Sequence, residues 1–135
     1  MGMNEPRIGY NSVTEFMGSG LPWVISGTAG SSATSYQFDK ISKRIIIKNL
    51  ESTGKHLRVG FTLNGINAVE ANYFFIVDGG DTFEFDARIK EIYLKRDGSN
   101  DVSFSIYAEL VGIDATMMPM LTGSIGGTTF WNGVG

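Results

Sequence analysis

The sequence predicts an all-β chain folded as a single antiparallel β-sandwich of about eight strands. Two features of its 135 residues lead there. Apolar and polar side chains alternate with a period of two through most of the middle, which turns one face of each segment toward a core and the other toward water. Turn-forming clusters separate these segments at intervals of roughly 8–12 residues, the rhythm of a sandwich or barrel. No segment carries a helical i, i+3, i+4, i+7 stripe over three turns.

Taken in order, Ser35–Asp39 alternates around Tyr36 and Phe38. Lys43–Leu50 holds the β-branched run Ile45-Ile46-Ile47 and stops at the turn Glu51-Ser52-Thr53-Gly54. Leu57, Val59, Phe61 and Leu63 alternate with Arg58, Gly60 and Thr62 and end at Asn64-Gly65, a favoured hairpin dipeptide. Tyr73–Val77 is closed by Asp78-Gly79-Gly80-Asp81, and Phe83 and Phe85 then alternate with Glu84 and Asp86 as inward-facing rings. Ile89–Leu94 is broken by Asp97-Gly98-Ser99-Asn100, after which Val102–Leu110 alternates without a fault. These make six or seven strands between residues 35 and 110, and one more from each terminal region, near Trp23–Gly27 and Gly127–Trp131, gives about eight. Eight strands in two four-stranded sheets is the jelly-roll count.

The whole chain, 1–135, reads as one domain with a core at about 33–111. It is flanked by glycine-rich arms at about 1–32 and 112–135. Charge marks the boundaries: residues 33–111 hold 21 of the 25 charged side chains, and the C-terminal arm keeps only Asp114. Glycine runs the other way, with six residues in each arm and six in the longer middle. The arms carry Tyr10, Phe16, Met17, Leu21, Trp23, Val24 and Ile25 on one side. On the other they carry Met117, Met118, Met120, Leu121, Ile125, Phe130 and Trp131. Apolar, nearly uncharged segments need a covering surface. They either complete the domain's own sheets or pack on neighbours, and Phe16, Trp23, Met117, Met118, Met120, Phe130 and Trp131 are the expected assembly contacts. The unbranched methionines suit an irregular contact.

Composition removes several chemistries. Without cysteine there is no disulfide, thiolate nucleophile or Cys-ligated metal. A net charge of −3 gives no basic excess for nucleic acid. No apolar run approaches the length of a membrane helix, and the first residues do not read as a signal peptide. His56, the single histidine, reads as a turn-edge residue, and no Gly-x-Ser-x-Gly elbow occurs. Glu84 and Asp86 share a solvated strand face and do not read as a catalytic pair. The glycine-rich stretches lack the Lys-Ser/Thr ending of a phosphate loop. Asp78, Asp81, Asp97 and Asp101 are weak calcium candidates, in turns where Asp also serves its own backbone. No catalytic residue and no cofactor is expected.

Lys43, Arg44, Lys48 and Arg58 form a basic stretch, and Glu70, Asp81, Glu84 and Asp86 an acidic one. They read either as solvated strand faces or as complementary patches that pair subunits head to tail. Tyr73 and Trp131 raise a second possibility, a carbohydrate-binding sandwich with exposed aromatics.

One resemblance spans about half the chain. It runs through Ile45-Ile46-Ile47-Lys48-Asn49-Leu50, Leu57-Arg58-Val59-Gly60-Phe61-Thr62, Asn72-Tyr73-Phe74-Phe75 and Gly80-Asp81-Thr82-Phe83-Glu84-Phe85. It continues into Arg88–Leu94 and Phe104–Leu110. These segments resemble small single-jelly-roll structural proteins of DNA viruses, of penton-like, minor capsid or head-decoration type. The resemblance implies a non-enzymatic virion component, made in the host cytoplasm. It would form homo-oligomers and touch other capsid proteins through its arms, without membrane insertion or direct contact with nucleic acid.

Overall fold

The computed structural model describes residues 20–69 and 71–117. Eight strands follow one another as β1 (Leu21–Ala29), β2 (Thr34–Gln37), β3 (Lys40–Asn49), β4 (Leu57–Gly60), β5 (Phe74–Val77), β6 (Thr82–Phe85), β7 (Glu91–Arg96) and β8 (Val102–Asp114). A one-turn helix α1 (Leu63–Ile66) lies between β4 and β5, and a 3₁₀ turn, Ala115–Met117, follows β8. The strands make two antiparallel four-stranded sheets, ordered β1-β8-β3-β6 and β2-β7-β4-β5.

The pairing is nested: β1 with β8, β2 with β7, β3 with β6, β4 with β5. This is one long hairpin with its tip between β4 and β5, wrapped so that successive pairs fall in alternate layers. The contacts β3–β8 and β4–β7 complete each sheet. The result is the jelly roll predicted from the strand count.

Alternation fills the space between the sheets. On β8, Val102, Phe104, Ile106, Ala108 and Leu110 are buried, and Ile45 and Ile47 of β3 join them. Leu57, Val59, Val77, Ile92 and Leu94 face them from the other sheet. Each large side chain buried there contributes about 1.5–3 kcal/mol from apolar burial.

The structure moves both boundaries of the expected core, since β8 also runs on to Asp114 in the C-terminal arm. β1, the strand expected near Trp23–Gly27, takes the N-terminal arm from Leu21 onward into the sandwich and pairs with β8 without a register shift from Leu21 to Ala29. Trp23 lies on its inward face, edge-on to Phe38 at 4.8 Å between ring centroids. Half-buried, it packs against the core cluster from the edge strand.

A second correction concerns Leu57–Leu63. The strand ends at Gly60, and Asn64-Gly65 makes no hairpin. Thr62 caps α1 instead, its Oγ1 accepting from the Gly65 amide at 3.0 Å. A Cβ on Gly60 would lie 3.0 Å from that of Ile66, so the glycine lets α1 fold back onto β4. Phe83 and Phe85 are half-buried, since β6 lies at a sheet edge.

Shortening Phe104, fully buried between β1 and β3, leaves a cavity that the two sheets cannot close. Phe104→Ala is expected to lower the unfolding free energy by about 3–5 kcal/mol in urea denaturation, with the β-sheet circular dichroism retained in water.

Candidate functional site

The sandwich has two unlike ends. Residues 30–33, 50–56, 78–81 and 97–101 connect strands at the end where β1 finishes and β8 begins. The other end carries residues 61–73 and 86–90, the start of β1 and the end of β8.

Asn49 organises the first end. Its fully buried amide donates to the carbonyls of Lys55 at 2.7 Å and Val77 at 2.9 Å, and its Oδ1 accepts from the Glu51 amide at 2.9 Å. Asn49 thereby ties the last residue of β3 to the chain entering β4 and to the end of β5. Its backbone adds bonds to Asp81 and Gly80. Gly79 passes so close to Ser52 that a Cβ there would fall 1.8 Å from the Ser52 carbonyl oxygen. The sequence analysis did not single out Asn49. Its signal was an amide at an inward position of an isoleucine-rich strand.

Around this anchor the side chains of Asp78, His56, Arg58, Arg96 and Glu51 are engaged within the chain. Asp78 Oδ1 accepts from the amides of Gly54 at 2.9 Å and Gly79 at 2.7 Å. His56 lies between two carboxylates, with Nε2 3.2 Å from Asp78 and Nδ1 3.8 Å from Asp97. Arg58 donates through Nε to Asp97 at 2.6 Å and through Nη1 to the Ile66 carbonyl at 3.2 Å, with its guanidinium over the Phe74 ring. Arg96 pairs with Asp101 at 2.7 Å. Glu51 accepts from the Ser103 amide and from Lys55.

The calcium candidates are not gathered into a ligand set. Asp97 and Asp101 face guanidinium groups, Asp78 holds backbone amides, and Asp81 contributes its backbone. Among the described residues no group of three or more His, Asp or Glu side chains is placed to hold a metal ion.

The paired charge patches are also revised. Arg44 and Glu84 form an ion pair across β3 and β6 within the chain, and Arg58 is committed to Asp97. Lys48 and Asp86 are exposed, while Lys43 and Asp86 line a shallow hollow with Ala87 and Arg88 at the far end. Ser42, buried on a bulged stretch of β3, ties this strand to the nearby 87–89 connection. Its hydroxyl donates to the Ala87 carbonyl at 2.6 Å and accepts from the Ile89 amide at 3.0 Å. Arg44, Lys48 and Glu84 lie on the outer side of one sheet and Arg58 on that of the other, so the basic residues do not make a single patch.

Of the expected assembly contacts, Met117 is 75% exposed, just beyond β8. Phe16, Met118, Met120, Phe130 and Trp131 lie outside the described residues, as does the acidic-patch residue Glu70. So do the strand expected near Gly127–Trp131 and the ring of Trp131 that the carbohydrate reading needs. Tyr73 is half-buried. Leu21 sits opposite Leu110, so the sequences before β1 and after β8 leave from neighbouring strands at the end remote from Asn49. Among the described residues no helix is long and apolar enough to cross a membrane.

No family model matches the sequence, and no curated protein matches it. Among solved structures, the chain is similar to a protein described with the Bacillus endospore appendages that form a novel family of disulfide-linked pili. That protein is 18% identical with a TM-score of 0.42, over 73% of this chain and 96% of that one. IMPa from Pseudomonas aeruginosa, solved in complex with an O-glycopeptide, is 14% identical with a TM-score of 0.41. The match covers 69% of this chain but only 13% of IMPa. The plu4264 protein from Photorhabdus luminescens is 9% identical with a TM-score of 0.37, over 81% of this chain and 88% of that one. Likenesses this distant carry no argument about activity, and none of the three is described as a virion protein.

Two measurements follow from the anchored end. Asn49→Leu keeps the volume but strands two carbonyls and an amide, and is expected to cost about 2 kcal/mol or more in urea denaturation. The Gly54 and Gly79 amides, and then His56, hold the Asp78 carboxyl below its usual range, and the Ser103 amide and Lys55 do the same for Glu51. The unfolded chain therefore takes up these protons at higher pH than the folded one. The stability they add is complete above the ordinary carboxylate range and is lost as pH falls through the lowered values. Asp78→Asn with Glu51→Gln is expected to lower the melting temperature at neutral pH and flatten its fall on the acid side. An unchanged acid limb would show that these contacts do not contribute.

Proposed function

We propose that this chain is a non-enzymatic structural subunit of a virion that associates with its own copies and with neighbouring capsid proteins through its terminal sequences. Its role would be penton-like, minor capsid or decorative. The observation that carries this reading is the common exit of the two termini. Residues 1–19 and 118–135 contain only Glu5, Arg7 and Glu15 as charges, and both join the sandwich at one end of the β1–β8 pair. Two charge-poor, aromatic- and methionine-containing sequences leaving side by side make one large apolar demand at a single place. A surface that meets that demand from outside is a neighbouring subunit.

The charged loops at the other end support the same reading, since their polar groups are held by internal partners. The jelly roll supplies a rigid block between the two ends, and its side chains there are apolar and closely packed.

Size-exclusion chromatography with light scattering on the full chain tests the proposal. Association at high concentration is expected, and Met117→Ser, Met118→Ser and Met120→Ser together should reduce it at least about tenfold, the loss of a small hot-spot cluster. A chain that stays monomeric with both termini resistant to protease would overturn it. Mass spectrometry of purified particles, with the copy number per particle, tests the virion assignment separately.

A further inference from the structure

The backbone directions within the β1–β8–β3–β6 sheet are fixed by a single hydrogen bond. The Leu50 amide donates to the Ser103 carbonyl at 2.9 Å, so Ser103 directs its backbone toward β3. Direction alternates along a strand. Ser105, Tyr107 and Glu109, opposite Lys48, Ile46 and Arg44, therefore also face β3. Phe104, Ile106, Ala108 and Leu110 face β1, where their partners are Gly27, Ile25, Trp23 and Leu21. On β1 the residues left over, Pro22, Val24, Ser26 and Thr28, direct their backbone groups away from β8, at an edge of the sheet that no strand covers among the described residues. Pro22, which has no amide hydrogen, falls in the set where none is needed for the β8 ladder.

This edge differs from the other three. It is nine residues long, against four for β2, β5 and β6, and its register with β8 carries no bulge. No charged residue lies on it, and Val24 is 70% exposed. At the opposite edge of the same sheet, β6 holds Glu84 between Asp81 and Asp86, acids that repel a second copy of themselves.

We infer that the open edge of β1 is a self-complementary interface that pairs antiparallel with β1 of a second copy, centred on Ser26 opposite Ser26 of that copy. In this register Val24 faces Thr28 on both sides of the centre. Every amide and carbonyl of Val24, Ser26 and Thr28 finds a partner, and Pro22 stays outside the ladder. Moving the twofold axis by half a residue pair brings Pro22 opposite Thr28 and leaves both Thr28 carbonyls idle. Neutral side chains meet neutral side chains, so nothing opposes a strand lying beside its own copy. The outcome is one eight-stranded sheet running through two sandwiches. The ladder is small for an interface, below the ~1,200 Å² of stable complexes, so it gives a concentration-dependent dimer on its own. This inference needs no terminal sequence and goes beyond the reading above.

The test combines hydrogen exchange and charge exchange on the full chain. With rising concentration the amides of Val24, Ser26 and Thr28 should slow, while the already bonded amides of Trp23, Ile25 and Gly27 change little. Ser26→Asp and Ser26→Lys each place like charges face to face and should weaken pairing roughly tenfold or more. An equimolar mixture of the two should recover it as mixed pairs in native mass spectrometry. Edge amides that exchange freely at every concentration would overturn the inference, as would amides protected in a monomer, where the chain's own sequence covers the edge. Failure of the two variants to rescue each other would overturn the register. If Ser26→Asp leaves association intact while Met117→Ser, Met118→Ser and Met120→Ser abolish it, the terminal reading stands and the edge pairing fails. A wild-type chain that is monomeric throughout defeats both.

Discussion

A strand inside a sheet must satisfy its backbone on two sides, and β8 does so from Val102 to Leu110. Alternate residues bond β3 and β1, while alternate side chains go into the core and to the outer face. One polypeptide stretch therefore fixes three things together: the depth of the core, the register of β1 and the direction of β1's unpaired groups. The inward set, Val102 through Leu110, is wholly apolar, and the outward set, Ser103, Ser105, Tyr107 and Glu109, is polar or amphipathic. A slip of one residue would exchange the sets and bury Glu109, which is why the alternation specifies the register so strongly.

The connections are held by a different chemistry at each end. Near Asn49 they depend on a buried amide and on carboxylates that accept backbone N–H groups, contacts that are directional and leave little freedom. At the other end Ser42 does comparable work with one hydroxyl, and α1 covers β4 with Ile66. The polar residues that first suggest chemistry, His56, Asp78 and Asp97, turn out to brace neighbouring connections against each other. Their spacing in the sequence shows acidic turns. Only the fold shows that Arg58 and Arg96 reach those turns from β4 and β7.

Legibility in the sequence followed the same division. The long alternating strands, β3 around Ile45 and Ile47 and β8 as far as Leu110, were plain, and with them the sandwich. The β4–β5 connection was not, because Phe61 and Leu63 continue the alternation of Leu57 and Val59 after the chain has left the sheet. What ends the strand is Thr62 capping α1 and Gly60 admitting Ile66, local effects that a period of two does not register. β1 was foreseen as a strand near Trp23–Gly27 but left outside the core because the region lacks charge. Its inward set of Leu21, Trp23 and Ile25 carries the signal that it is core. Ion pairs were the least legible element. Arg44 and Glu84 lie forty residues apart in sequence and meet only because β3 and β6 are neighbours.

The four outer strands show how the fold treats its edges. β5 and β6 border the same side of the sandwich, and there Phe75 stacks on Phe83 at 4.1 Å, Phe83 on Phe85 at 4.7 Å, and Phe61 stands edge-on to Phe85. The rings close the seam between the sheets, and the acids flanking β6 discourage a second strand. On the opposite side Tyr36 meets Phe104 edge-on behind β1, so the seam is filled there too, yet the edge of β1 itself carries neither charge nor bulge. Antiparallel pairing at that edge would turn one sandwich end for end relative to the other. The start of β1 and the end of β8 would then lie at opposite ends of the joined sheet in the two copies. A paired unit would present its terminal sequences in two directions, and contact through the edge and contact through the termini would not compete for the same surface.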